Sequence, residues 1–287
     1  MLERLLLALQ NQETQDLFDY SIVIVDNDHE KSAHAVVENI KKKNTLDITY
    51  LSEPQKNIAI ARNKAVTHTH GEFIAFVDDD EFPKTDWLLN LYQTLDKYKV
   101  DGVLGPVKPH FDKVPPGWLI KSKLCERPTH ETGTVLDWND TRTGNVLIRN
   151  KIFYEKENLF DPDFAIQGED KDFFRRVTAK GHVFIWCNEA PVYETVPPDR
   201  WEKTYFLKRA FIQGSASFKY YGSSMNTKLK LKIIIKSTLA SLVYTFMLPA
   251  LSLFGTQYLI EYLAKDIYHL SRLLTVFGLV NIKKRNI

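Results

Sequence analysis

Cysteine is nearly absent: Cys125 and Cys187 are the only two in 287 residues, far apart and in no metal-binding or redox spacing. That excludes a disulfide framework and fits a reducing compartment. An excess of charge of one sign is missing too. Lys and Arg number 38 against 36 Asp and Glu, so the net charge of +2 is too small to imply a nucleic-acid partner. The eight histidines show no ligand spacing, and His68 and His70 read as an exposed helix end. No internal repeat or low-complexity tract is present. Met1 to Gln10 has only a short apolar run leading into helix-like sequence, so it does not read as a signal peptide.

What is present is ordinary for a folded chain with a real core: 44% hydrophobic and 26% charged residues. The length allows one α/β domain plus an appendage. Through the first two-thirds, short β-branched runs alternate with amphipathic stretches, the pattern of a mostly parallel sheet flanked by helices. Leu2, Leu5, Leu6 and Leu9 form a helical stripe, and Tyr20 to Asp26 reads as a buried strand. Helices are expected at Ser32 to Lys43, Ile58 to Thr67 and Trp87 to Tyr98, with strands at Ile48 to Leu51, Glu72 to Val77 and Val100 to Val107. Between Lys108 and Thr143 the pattern is lost among Pro, Gly, Trp and Asp, and a loop that long is functional or mobile. It resumes at Asn145 to Arg149, a helix near Asp170 to Ala179 and a strand at His182 to Cys187.

The composition changes near residue 222, which divides the chain into an α/β domain over 1–222 and a helical segment over 223–287. Ile233 to Gly255 is apolar apart from Lys236 and a few hydroxyls, and Pro249 interrupts it. Its length is marginally enough to span a bilayer. Tyr258 to Val280 is amphipathic, with Glu261, Lys265, Asp266, His269 and Arg272 among leucines and aromatics. Such a segment lies in a membrane interface more naturally than it crosses one. Lys228, Lys230, Lys232 and Lys236 precede it, and Lys283, Lys284 and Arg285 close the chain. The pattern points to an appendage that docks on a membrane surface; a hairpin packed on protein is the alternative.

The sharpest chemistry is Asp78-Asp79-Asp80-Glu81, directly after the apolar run that ends at Val77. Neighbouring carboxylates raise one another's pKa unless a cation sits among them. Magnesium and manganese take oxygen ligands and share sites with phosphate oxygens. The carboxyl end of a sheet strand is where α/β proteins bind ligands. The plainer alternative is a solvated acidic turn capping a helix that begins near Pro83. A second cluster, Gly168-Glu169-Asp170-Lys171-Asp172, opens a helix. Acids there are also an ordinary helix-start signal. The two clusters together suit a site built from two strand ends, one holding a metal and one a base.

In order and separation, the stretches Ile22 to Asn27, Asn57 to Ala65, Gly71 to Asp80, Gly144 to Arg149 and Gly168 to Phe173 resemble family 2 glycosyltransferases of the GT-A fold. The likeness points especially to the bacterial branch that builds exopolysaccharide, capsule or lipopolysaccharide. Val196 to Arg200 and Arg209 to Gly214 are similar to the sub-branch of succinoglycan-type transferases. The resemblance covers roughly Leu2 to Tyr221. It implies an Asp-x-Asp motif at Asp78-Asp79-Asp80, with Asp80 the ligand of a Mg2+ or Mn2+ ion and Asp79 nearer the ribose. It implies a catalytic base at Asp170, nucleobase contacts at Asp26 and Asn27, and Arg62 in a helix facing the nucleotide. Glu169, Trp118 and Trp138 are candidates for the acceptor site, and either tryptophan could equally plug the domain surface.

The mechanism implied by this resemblance is an inverting displacement of a nucleoside diphosphate, with a UDP-sugar as the donor. The acceptor is a glycan or a lipid-linked sugar. The expected place is the cytoplasmic face of the inner or plasma membrane, held peripherally. One departure stands out: the family opens with a strand, typically Ile-x-Ile-x-Thr-Tyr-x-Arg, ahead of the helix that resembles Leu2 to Gln10. A misassigned start or a decayed member would explain it. Two rivals remain: a metal-dependent phosphotransferase or hydrolase, and a transferase-like module that has lost donor binding and serves membrane or assembly contacts.

Overall fold

A computed structural model describes residues 1–43, 46–164, 167–219 and 226–280. They form two compact units: Met1–His110 with Arg127–Thr195, and Phe111–Glu126 with the chain from Val196 onward. The expected boundary at 222/223 lies outside the described residues, as do Lys283, Lys284 and Arg285.

In the first unit, α1 (Leu2–Gln10) buries Leu5, Leu6 and Leu9, as the stripe requires. Strands β1 (Ile22–Asp26) and β2 (Ile48–Ser52) run parallel, with Ile24 beside Tyr50 and Asp26 beside Ser52. The crossover between them holds α2 (His34–Lys43), whose Val37 and Ile40 are buried. Then come α3 (Ile58–Thr67) and β3 (Phe73–Val77), a five-residue apolar run that a half-covered strand tolerates. Strand β3 pairs antiparallel with β7 (Asn145–Arg149), and β7 pairs antiparallel with β5 (Gly102–Leu104), which lies parallel to β8 (Phe184–Trp186). A smaller sheet joins β4 (Glu81–Pro83), β9 (Val192–Thr195) and β6 (Val107–His110). Because β7 opposes both neighbours, the four-stranded sheet is mixed; the β4-β9-β6 sheet is mixed too, while β1 and β2 are parallel. Among the described residues β1 has one strand partner, β2, and β3 has one, β7.

The sheet is covered by α4 (Trp87–Tyr98), with Trp87, Leu91 and Leu95 fully buried, and by α6 (Glu169–Ala179). Beneath α6 an aromatic layer forms from Phe153, Phe160, Phe173, Phe174, Phe184 and Trp186. Phe153 and Phe173 stack with centroids 5.2 Å apart. That layer fixes the start of α6 against the strands.

Three expectations change. The single strand expected from Val100 to Val107 is split into β5 and β6, which belong to different sheets. Pro106 has no N–H to donate to a ladder; its carbonyl instead accepts from Asn145 Nδ2 at 3.0 Å and from the Val192 amide at 2.9 Å. Secondly, Glu81–Pro83 is an edge strand, paired through Glu81 and Phe82 with Glu194 and Tyr193; the alternative of a helix beginning near Pro83 fails, while the helix expected from Trp87 to Tyr98 is found there. Thirdly, Lys108 to Thr143 is not structureless: it carries α5 (Gly117–Ser122), a 3-10 turn at Trp138–Asp140 and a bridge from Val135 to Ile185.

The second unit holds α5, α7 (Lys203–Lys219), α8 (Thr227–Phe254) and α9 (Thr256–Val276). Helix α8 continues through Pro249, which the sequence pattern made a break. A proline inside a helix costs about 3 kcal/mol, and the packing of α8 along α9 offsets it. Helices α9 and α7 are tied by Ser271 Oγ to the Phe211 carbonyl at 2.5 Å and by Thr275 Oγ1 to Ser215 Oγ at 2.9 Å.

Candidate active site

Strand β3 delivers its acids at the carboxyl end. Asp78 to Asp80 form a turn, closed by the Glu81 amide on the Asp78 carbonyl at 3.1 Å and pinned by the Thr195 amide on the Asp80 carbonyl at 2.8 Å. Asp78 and Asp80 are half-buried and Asp79 is exposed. Glu81 is only 1% exposed, and its carboxylate accepts the Asp78 amide at 3.2 Å. Burial first, and then the neighbouring Asp78 charge, push its carboxyl well above the usual range. It also sits across from Glu194 in the ladder, a like-charge pairing that Arg127 relieves by an ion pair to Glu194. Gly144 leaves room for this turn: a Cβ there would lie 2.8 Å from Glu81 Oε1 and 3.2 Å from Asp78 Oδ2.

The second cluster starts α6. Gly168 adopts φ 104°, a left-handed conformation that costs glycine little, and so swings Glu169 and Asp170 into the first turn. Glu169 is 5% exposed and ion-pairs through Oε1 with Arg62 Nη1, while its Oε2 has no hydrogen-bond partner. Burial, then the Asp170 charge, raise its carboxyl to about 7 and outweigh the pull of Arg62. Asp170 is half-exposed and accepts the Lys171 amide at 2.7 Å.

Arg62 joins the two clusters. From α3 it donates Nη2 to Asp78 Oδ1 at 3.2 Å and Nη1 to Glu169, with 12% of its side chain exposed. Burial works against its charge, yet Asp78, Glu169 and Asp170 together raise its pKa. Phe160 lies under the guanidinium, 5.8 Å from centroid to Cζ. The rest of α3 holds the same segment: Asn63 exchanges hydrogen bonds with the Phe160 backbone at 2.7 and 2.8 Å, and Asn57 Nδ2 reaches the Pro162 carbonyl at 2.9 Å.

Asp26 and Asn27, at the end of β1, shape a rim. Asp26 accepts from the Asp28 and Ala33 amides at 3.1 and 3.0 Å and from Tyr50 Oη at 2.8 Å. Burial and this bond to Asp26 push the Tyr50 phenol up to about 12, so it remains a donor. Asn27 binds the Glu53 and Gln55 carbonyls and the Asn57 amide, and Asn57 in turn caps α3 through the amides of Ala59 and Ile60. The rim and Arg62 are therefore two ends of one hydrogen-bonded frame.

Trp138 is half-buried against the aromatic layer. Lys171 fastens its turn beside Asp170 by donating to the Asn139 and Thr141 carbonyls. Trp118 belongs to the second unit, where it meets Phe206 edge-on at 6.0 Å. Several residues of the site are not marked by the sequence pattern. Arg142 is held among Asp170, Glu81, Glu194 and Arg127; burial, then Arg127, lower its pKa to about 10. Arg127, Glu194 and Lys171 are equally unmarked, and Glu81 stands out only as one of four acids. Each of them matters through a partner far away in the chain or through its burial, and neither leaves a periodic signal. Gly144, two residues after Arg142, is the nearest one.

Among the described residues, no three His, Cys, Asp or Glu side chains converge to hold a metal unaided. The oxygen-only donors of the Asp78 to Asp80 turn, with the Glu81 carboxylate buried behind it on the Asp78 amide, fit a hard divalent cation that shares its shell with phosphate oxygens. The family model for Glycosyl transferase family 2 matches residues 1–162. The chain belongs to that family. It is 34% identical over 201 residues to the succinoglycan biosynthesis protein ExoM of Rhizobium meliloti, covering 67% of this chain and 62% of that one. Less than two thirds of that relative's length is therefore represented. Among solved structures, S. aureus TarS 1-349 in complex with UDP matches at TM-score 0.52 and 16% identity, over 96% of this chain and 88% of that one. GalNAc-T7 with UDP, GalNAc and Mn2+ matches at TM-score 0.53 and 15% identity, over 78% of this chain and 48% of that one. These likenesses show the fold: an α/β GT-A domain with helices appended at the C-terminus.

Proposed function

We propose that this chain transfers a sugar, with inversion, from a UDP-sugar to a glycan or lipid-linked acceptor in cell-surface polysaccharide synthesis. The observation that carries the reading is Arg62, which binds Asp78 of the acidic turn and Glu169 beside Asp170 at once. The donor acids and the base thus stand on one rigid frame. The succinoglycan relative supports the pathway class, and the UDP-bound relatives in fold support the nucleotide.

Each residue has a task in this reading. Asp26 and Asn27 border the nucleobase, and Asp79 takes the ribose. Arg62 acts at the donor end through Asp78, holding that carboxylate in place. Asp80 would hold the divalent ion, Mg2+ or Mn2+, which when bound neutralises charge developing on the diphosphate. Asp170 takes the proton from the acceptor hydroxyl as that oxygen attacks the anomeric carbon opposite the departing diphosphate. A single displacement inverts that carbon. Glu169, beside Asp170, and Trp138 are candidate acceptor contacts, and Trp118, which belongs to the second unit, is a separate candidate sugar-stacking face. The second unit docks peripherally on the cytoplasmic membrane surface, where a lipid-linked acceptor would be found.

One observation favours a second reading. Among the described residues β1 and β3 each pair on one side only, which suits a transferase-like module that has lost donor binding and serves membrane or assembly contacts. Nucleoside-diphosphate release from UDP-sugars separates the two. Metal-supported release that is lost in excess chelator and in Asp80→Ala, with the fold intact by circular dichroism, supports transfer. Absence of release, or release indifferent to chelator, contradicts it.

A further inference from the structure

Helix α8 turns large apolar side chains outward. Leu231, Ile235, Leu239, Leu242, Phe246 and Leu253 are exposed, Phe246 and Leu253 by 84% and 86%. At about 100° per residue these six fall within an arc of about 80°, and the exposed Val243, Met247 and Phe254 widen the apolar face to about 160°. The other side carries the hydroxyls, and it faces α9: Ser241 Oγ and Thr245 Oγ1 both donate to Asp266, the latter at 2.9 Å, and Ser237 is fully buried. Tyr244 meets Tyr262 as Ser241 meets Asp266, so the helices run antiparallel. A soluble helix would turn these faces the other way.

The charges on α8 are arranged with equal bias. Lys228, Lys230, Lys232 and Lys236 fall in its first ten residues, and from Ser237 to Phe254 it has no charge. No acid occurs anywhere in it. By length and composition α8 is able to cross a membrane. Its packing argues otherwise. Spanning would carry α9, with Glu261, Lys265, Asp266 and Arg272, through hydrocarbon beside it, and α9 is also bonded to α7 through Ser271 and Thr275.

We propose that α8 lies lengthwise in the interface of an anionic bilayer, its leucine–phenylalanine face in the acyl boundary, its lysines on the headgroups and its Ser241–Thr245 seam turned to Asp266 of α9. This deepens the membrane docking proposed above by fixing the surface and excluding a span. Both rest on the face that α8 leaves uncovered, because an apolar stripe supplies the salt-resistant part of docking and the lysines the salt-sensitive part.

The test uses the full chain with vesicles of phosphatidylcholine, with or without phosphatidylglycerol. In a Cys125→Ser background, Leu231→Cys, Leu239→Cys, Phe246→Cys and Leu253→Cys are each labelled with a fluorophore and quenched by lipids carrying nitroxides at graded depths. Lys265→Cys on α9 is the control. The proposal expects a similar shallow depth at all four α8 positions and no quenching at Lys265→Cys. It also expects at least a tenfold loss of binding to anionic vesicles when the four lysines become glutamate. A depth that passes through the bilayer centre along α8 overturns it in favour of a span. Absence of quenching at every position, or of vesicle binding at low salt, overturns it in favour of a protein-covered face. UDP binding by calorimetry on the same variants keeps this outcome separate from the transferase reading, which does not depend on α8.

Discussion

Arg62 and Glu169 form a buried ion pair between α3 and the first turn of α6, 107 residues apart in the chain, and the same guanidinium holds Asp78 at 3.2 Å. The pair is the physical connection between the acidic turn and the helix that carries Asp170. Removing one partner of a buried pair leaves an uncompensated charge, which is the expensive case.

Arg62→Ala is therefore expected to destabilise the chain by about 3 kcal/mol, read from urea unfolding. Arg62→Lys should recover only part of this, since a lysine cannot fork between two carboxylates. A loss within error of zero for Arg62→Ala would mean that the frame does not depend on this residue.

Glu169 gives stability a pH dependence of definite sign. Its folded pKa is raised from 4.5 to about 7, so the folded chain holds this proton more tightly than the unfolded one. The stabilisation is complete below the unfolded value and is lost as pH climbs through about 7. The parent should lose stability between pH 5 and pH 8 relative to Glu169→Gln, measured by the difference in their urea midpoints. An unchanged difference would place the Glu169 proton elsewhere.

Gly144 tests the closeness of the turn. Gly144→Ala places a methyl 2.8 Å from Glu81 Oε1, so Glu81 and Asp78 must shift. Overpacking of this kind costs about 1–3 kcal/mol, and a displacement of reacting groups by about 1 Å can cost roughly a hundredfold in rate. The expected result is a folded variant with slowed nucleotide release. Parent-like kinetics would show that the turn has slack.

Much of this arrangement is legible in the residue order, and the rest is hidden for identifiable reasons. Phe73 to Val77 followed by four acids reads directly as a strand that presents carboxylates at its end, and Gly168 followed by acids and Phe173-Phe174 reads as a helix start over a core. Strands β4 and β9 are not legible, because three or four residues containing Pro83 or a lone Val192 carry no periodicity. The burial of Glu81 is hidden for a different reason: among four adjacent acids nothing distinguishes the one turned inward. Arg62 bridging two clusters, and Arg127 answering Glu194, arise only when separate elements meet. Asn57 and Asn63 read as part of a nucleotide-facing helix, while the structure spends their side chains on the backbone of 160–162 and on the α3 cap.

The most direct test of the central claim is single-turnover nucleoside-diphosphate release from UDP-sugars by the parent and by Asp170→Asn, with UDP affinity measured on both. The account predicts similar affinity and a release rate lower by roughly a hundredfold or more in the variant, as general-base help is removed. Equal release rates would contradict it and move the base to Glu169 or Asp172.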